Sequence, residues 1–153
     1  MTGSELRERT FVVAGGGGGT GRAIAVALQS AGATVYEAAD DVEGLARDVI
    51  AREGGIDFLV HSAGMSAQNA AEIQAAHQVT EAFLPGLCAN EGQVVFVSST
   101  VELTATTART VLWNSLRRAV NPHGLRSLSV YASAAMQRPE DVASAVLGAL
   151  TPA

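Results

Sequence analysis

Lysine is absent from this sequence of 153 residues, so all ten of its basic residues are arginines. The formal net charge is −5, and no block of basic residues occurs in the chain. Proteins that bind nucleic acid usually carry such a block, because it neutralises the phosphate backbone. The composition therefore argues against a nucleic-acid partner.

Cysteine and long apolar runs are also scarce. Cys88 is the single cysteine, which excludes an internal disulfide and a thiolate metal cluster, and we expect no metal. No apolar run is long enough to cross a bilayer, and residues 1–10 are too polar for a signal peptide. We therefore expect a cytoplasmic protein without a membrane partner.

Short apolar runs alternate along the chain with helical patterns, and no linker or repeat interrupts them. The predicted strands are Thr10–Ala14, Thr34–Tyr36, Ile56–Val60, Val94–Val97 and Leu128–Tyr131. The predicted helices are Gly21–Ala31, a helix capped by Asp40 or Asp41 that ends near Glu53, Ala70–Ala89, Thr104–Val120, and a last helix from Pro139. Alternating strands and helices form a parallel sheet through right-handed crossovers. The sequence predicts one α/β domain over residues 1–153, with three layers and a doubly wound sheet.

The turn after the first predicted strand is rich in glycine, in the stretch TFVVAGGGGGTGRAIAVAL. Gly15 can adopt the positive φ of a tight turn, and Gly19 lets the backbone approach a pyrophosphate. Gly21 lets the helix pack closely on the strand. The amides at the start of that helix face the anion, and the helix dipole assists them. This pattern favours a dinucleotide.

The spacing of Gly15, Gly19, Thr20 and Gly21 resembles the short-chain dehydrogenase/reductase family. Similar family motifs follow in order as IDFLVHSAG (56–64), QVVFVSST (93–100), NPHGLR (121–126) and RPEDVA (138–143). The resemblance implies a Rossmann-like fold and an NAD(P) cofactor. It implies that the cofactor is bound by Gly15, Gly19, Thr20, Gly21, Ala63 and Gly64. Asp40 or Asp41 would bind the adenosine ribose, and capping of the second helix explains either aspartate equally well.

The chain departs from the family in three ways. One strand beside the adenosine pocket is missing after the second strand, which leaves five strands in the expected order 2-1-3-4-5. The family's Tyr–Lys pair, spaced four residues apart, cannot form, because Tyr36 and Tyr131 are followed four residues later by Asp40 and Ala135. The Pro-Gly turn and the substrate lid before the last helix are also missing. These losses weaken the case for a bound cofactor and for hydride transfer.

Ser99, His61 and Glu72 are the main candidates for catalysis, Glu102 is a fourth, and each has a structural alternative. Ser99 can donate to a substrate oxygen, or it can satisfy backbone groups at the end of its strand. His61 can act as a general base, or it can be a strand-end histidine bonded to a loop. Glu72 can move a proton, or it can be an exposed helical glutamate, and the same holds for Glu102. Structural roles are favoured for Tyr131, His77, His123 and Trp113.

We expect non-redox chemistry on a small organic molecule, such as an elimination, isomerisation or cyclisation. A non-catalytic dinucleotide-binding or partner protein is the alternative, and an atypical NAD(P)-dependent oxidoreductase is a second one. Because the family pairs its two long helices across a dimer interface, we also expect a homodimer or larger homo-oligomer.

Overall fold

Five parallel strands form one sheet in the order β2-β1-β3-β4-β5. The computed structural model describes residues 6–14, 19–38, 41–64, 70–99, 116–132 and 138–150. The strands are β1 (Thr10–Ala14), β2 (Thr34–Glu37), β3 (Phe58–Gly64), β4 (Gln93–Ser99) and β5 (Arg126–Ala132). The helices are α1 (Gly19–Ser30), α2 (Val42–Glu53), α3 (Ala70–Ala89), α4, described over residues 116–120, and α5 (Pro139–Leu150). The predicted doubly wound, Rossmann-like α/β fold and its strand order are confirmed.

Helices cover both faces of this sheet, because successive side chains of a strand point to opposite faces. Val12 and Ala14 of β1 pack into the core under α2, α3 and α4. Phe11 and Val13 pack into the core under α1 and α5. None of the helices in the described part of the chain is long and apolar enough to cross a membrane.

The ends of α2 follow from local chemistry. The Asp41 carboxylate accepts a hydrogen bond from the Gly44 amide at 3.0 Å, which satisfies one of the unpaired donors of the first turn. Such a cap is worth about 1 kcal/mol. Gly54 ends the helix with φ at 81°, in the left-handed region that glycine adopts without strain. Of the two predicted roles of Asp41, the structure therefore favours capping.

Several predicted boundaries next to the site are wrong, including those of α1 and β3. Helix α1 begins at Gly19, two residues before the predicted start, so Gly19 and Thr20 belong to its first turn. Strand β3 continues to Gly64 instead of ending at Val60, because Gly64 pairs with Ser98 of β4 after a register shift. As a result, His61 lies inside the sheet and not at a strand end.

Candidate functional site

The candidate site is the edge of the sheet at which the carboxyl ends of the strands meet. In open parallel α/β sheets, ligands bind in the crevice beyond this edge. Ala14 ends β1 here, next to the first turn of α1. The neighbouring strands β3 and β4 end at Gly64 and Ser99, and Ser99 pairs with Ala132 of β5.

Two contacts involve the described residues on either side of the first β–α connection, Ala14 and Gly19. The buried Ser62 hydroxyl donates to the carbonyl of Ala14 at 2.8 Å, and so ties β3 to the last residue of β1. On the far side of the turn, Gly19 faces Pro139, the first residue of α5. A Cβ atom on Gly19 would lie 3.2 Å from the Pro139 Cγ atom. Gly19 therefore allows α5 to pack against the first turn of α1, a role that its place in the glycine motif did not indicate.

An acidic residue ends β2, beside the last residues of β1. Glu37 is the last residue of that strand and forms an ion pair with Arg22 from the beginning of α1. The Glu37 side chain is 35% exposed and remains accessible to a ligand. From the sequence we expected Asp40 or Asp41 as the acidic residue here and did not consider Glu37, and Asp40 lies outside the described residues. The signal was present, since Glu37 directly follows the predicted strand Thr34–Tyr36.

His61 is fully buried in the centre of β3, between Ala14 of β1 and Phe96 of β4. Its Nε2 atom lies 2.9 Å from the Thr80 hydroxyl oxygen on α3. Thr80 donates its single hydroxyl proton to the carbonyl of Ala76 at 2.9 Å. The Nε2–H group of His61 therefore donates to Thr80, which assigns the Nε2–H tautomer.

The surroundings of His61 oppose its protonation. Burial and, to a smaller degree, the nearby His77 lower the pKa of His61 to about 4, so that the ring is neutral near pH 7. The Phe96 ring stacks against the His61 ring with centroids 6.0 Å apart. The Arg117 guanidinium carbon lies 5.4 Å from the centroid of the same Phe96 ring. This geometry fits a core histidine that joins β3 to α3, whereas its predicted role as a general base remains a prediction.

The other predicted site residues are placed only in part. The backbone of Ser99 ends β4 at the crevice, and the backbone of Glu72 lies near the beginning of α3. Thr20 and the buried Gly21 lie in the first turn of α1, and Ala63 and Gly64 end β3. Residues outside the described part of the chain are Gly15, Asp40, Glu102 and Trp113. Within that part, no group of three or more His, Cys, Asp or Glu residues could hold a metal ion.

Solved structures share this fold, although no family model and no curated protein matches the chain. A metagenomic short-chain oxidoreductase in complex with NADP is 22% identical, covers 96% of this chain and 92% of its own, and has a TM-score of 0.69. Thermoplasma acidophilum aldohexose dehydrogenase, in ligand-free form, is 19% identical over 95% of this chain and 88% of its own, with a TM-score of 0.67. A Streptomyces avermitilis short-chain dehydrogenase is 22% identical over 95% and 85%, with a TM-score of 0.65. The chain thus has the fold of the short-chain dehydrogenases and reductases.

Proposed function

We propose that this chain binds NAD at the turn between β1 and α1 and does not carry out the hydride transfer typical of that fold. Glu37 is the observation that carries the proposal. In dinucleotide-binding domains, an acidic residue near this position accepts hydrogen bonds from the adenosine ribose. The same carboxylate repels the additional 2′-phosphate of NADP, so it favours NAD.

The ion pair between Glu37 and Arg22 is compatible with this role. The Arg22 side chain is 62% exposed, and exposed ion pairs contribute at most about 1 kcal/mol. A ribose hydroxyl can therefore share the Glu37 carboxylate with Arg22 at little cost. The first turn of α1 contains no acidic residue, which leaves its positive end available to a pyrophosphate.

The lack of hydride transfer rests on the residues that are missing. Without a lysine, and without a tyrosine four residues before an arginine, the chain cannot form the family's proton-transfer pair. General acid–base groups typically contribute about 10²–10⁴-fold to a rate. The metagenomic oxidoreductase has this fold and was solved with NADP bound, which supports cofactor binding by this chain. It says nothing about whether this chain transfers hydride.

A non-redox enzyme is the second candidate function. Ser99 favours this function. Because β3 and β4 stay paired as far as Gly64 and Ser98, the backbone of Ser99 lies at the carboxyl edge of the sheet, close to Gly64. Ser99 would polarise a substrate oxygen while Glu72 or His61 moves a proton. The burial of His61 favours Glu72 for this role.

The proposal is tested by calorimetric titration of NAD and NADP into the wild type, Glu37→Gln and a control, Glu81→Gln, which removes an exposed glutamate of α3. We expect Glu37→Gln to lower the affinity for NAD about tenfold, as for the loss of one hydrogen bond to a charged group. We expect it to improve the affinity for NADP, since Arg22 is then released to the 2′-phosphate. Unchanged affinity for both cofactors in Glu37→Gln would refute the role of Glu37.

A further inference from the structure

A cavity of about 430 Å³ opens at the amino edge of the sheet, opposite to the edge that holds the candidate site. It lies at the beginnings of β3, β4 and β5 and at the end of α5, and we call it the amino-edge cavity. All the residues that line it belong to the described part of the chain. Pockets for small molecules have volumes of about 300–1,000 Å³, so the cavity is large enough for a small organic ligand.

Strand register places three lining side chains of different character in one row. Phe58 of β3 pairs with Gln93 of β4, and Gln93 pairs with Arg126 of β5. Residues paired in this way on neighbouring parallel strands lie about 5 Å apart and point to the same face of the sheet. The Gln93 amide and the Arg126 guanidinium are therefore neighbours, and the Phe58 ring continues the row towards β1.

One part of the cavity is apolar. Leu6 and Leu150 line it and are 2% and 8% exposed. Phe58 is half-buried and stacks on the Phe11 ring with centroids 4.6 Å apart, which holds the Phe58 ring in place. A ligand body placed against these side chains would remove apolar surface from water, on the ligand and on the protein.

The polar part of the cavity offers donors next to this apolar surface. Among the described residues, neither the Gln93 amide nor the Arg126 guanidinium has a hydrogen bond or an ion pair. The nearby Asp57 carboxylate is already occupied, since it accepts from the Thr10 amide at 2.8 Å and lies 3.6 Å from an Arg9 nitrogen. The positive charge of Arg126 is therefore available to a ligand.

We propose that the amino-edge cavity binds a small organic carboxylate with an apolar body. Arg126 and Gln93 donate to the carboxylate oxygens, and the apolar body lies over Phe58 and against Leu150. A guanidinium group suits this task, because its planar donors match both oxygens of a carboxylate at once. Glu91 lines the same cavity and weakens the binding by repulsion. The proposal does not rest on the proposed function, because the two sites lie at opposite edges of the sheet.

The test is a titration of the isotope-labelled protein with benzoate, and separately with its uncharged amide, followed by NMR. Benzoate should shift the backbone resonances at the beginnings of β3, β4 and β5, and benzamide should bind about tenfold more weakly. Arg126→Gln should weaken the binding of benzoate about tenfold, and Glu91→Gln should strengthen it. Arg118→Gln is the matched control, since Arg118 is exposed on α4, which covers the other face of the sheet.

Three outcomes would overturn the proposal. The first is the absence of shifts at the amino edge with millimolar benzoate. The second is equal affinity for benzoate and benzamide, which would exclude recognition of the carboxylate. The third is an equal loss in Arg126→Gln and Arg118→Gln, because it would indicate only a general effect of charge. None of these outcomes bears on the binding of NAD, which the titrations of Glu37→Gln test separately.

Discussion

Acid should destabilise this protein through His61, because the folded state holds that ring neutral. The pKa of His61 is lowered from 6.5 to about 4 by burial and by His77. Between these two pKa values the unfolded chain binds a proton that the folded chain does not, so the free energy of unfolding falls as the pH decreases. Well above pH 6.5 neither state is protonated at His61, and its contribution to the free energy of unfolding is constant.

The size of the effect follows from the two pKa values. Each tenfold difference in proton affinity is worth about 1.4 kcal/mol, so the full loss below pH 4 is about 3 kcal/mol. At pH 5 the unfolded chain is nearly fully protonated at this position, and about 2 kcal/mol should already be lost relative to neutral pH. That is a large part of the 5–15 kcal/mol that stabilises typical domains.

The perturbation is His61→Phe, which keeps a ring beside Phe96 and removes the titrating group. The Thr80 oxygen then loses the hydrogen bond from His61. The Thr80 hydroxyl still donates to the carbonyl of Ala76, so its buried proton keeps an acceptor. Urea unfolding, followed by circular dichroism between pH 5 and 8 at fixed protein concentration, gives the free energy of unfolding at each pH. We expect His61→Phe to lose most of the decrease between pH 6.5 and pH 5.

The control is His123→Gln, which removes an exposed histidine from the turn after α4. Carboxylates contribute equally to the wild type and to both variants, so the difference between variants isolates the histidine. His123→Gln should keep the wild-type pH dependence. The reasoning is refuted if His61→Phe shows the same dependence as the wild type over this range.

Three further predictions concern packing, catalysis and assembly. Gly19→Ala should cost about 1 kcal/mol of stability, since its Cβ would lie 3.2 Å from the Pro139 Cγ atom. The cost should shrink in the background of Pro139→Ala, and a double-mutant cycle by urea unfolding that shows additive effects would contradict this contact. A panel of ketones and alcohols should give no measurable NAD(P)H turnover at 340 nm; turnover near 1 s⁻¹, within the usual enzyme range, would show that the missing Tyr–Lys pair is dispensable. Light scattering should show a homodimer or larger homo-oligomer, and a monomer at all concentrations would refute that proposal.

Much of the fold could be predicted because its signals are local. Apolar runs such as Thr10–Ala14 coincide with the strands that the structure forms. Helix α3 begins and ends where its sequence pattern does, at Ala70 and Ala89, and α5 begins at Pro139. Each of these elements is defined by residues within a few positions of each other. Secondary-structure propensity and hydrophobic periodicity depend on such neighbouring residues, so they predict these elements.

The parts of the site that escaped prediction depend on partners that are distant in sequence. Strand β3 extends past His61 because β4 continues beside it, and nothing in the sequence around His61 encodes that partner. The hydrogen bond that holds His61 comes from Thr80 on another element. Gly19 is required as glycine partly because Pro139, far along the chain, packs against it.

Glu37 was overlooked for a different reason. The sequence offered Asp40 and Asp41 soon after the second strand, and both fitted an acidic ribose ligand. Pairing with Val13 of β1 extends β2 by one residue and makes Glu37 its end. Asp41 then serves as the cap of α2. The proposal of Glu37 in place of its acidic neighbours therefore rests on strand pairing, which residue type alone does not report.

A crystal structure of the protein grown with NAD tests the central claim most directly. We expect the pyrophosphate at the amino end of α1, with an adenosine ribose hydroxyl within hydrogen-bond distance of Glu37. NAD bound at another surface, or crystals with no NAD at a saturating concentration, would contradict the proposed binding of NAD at this edge of the sheet.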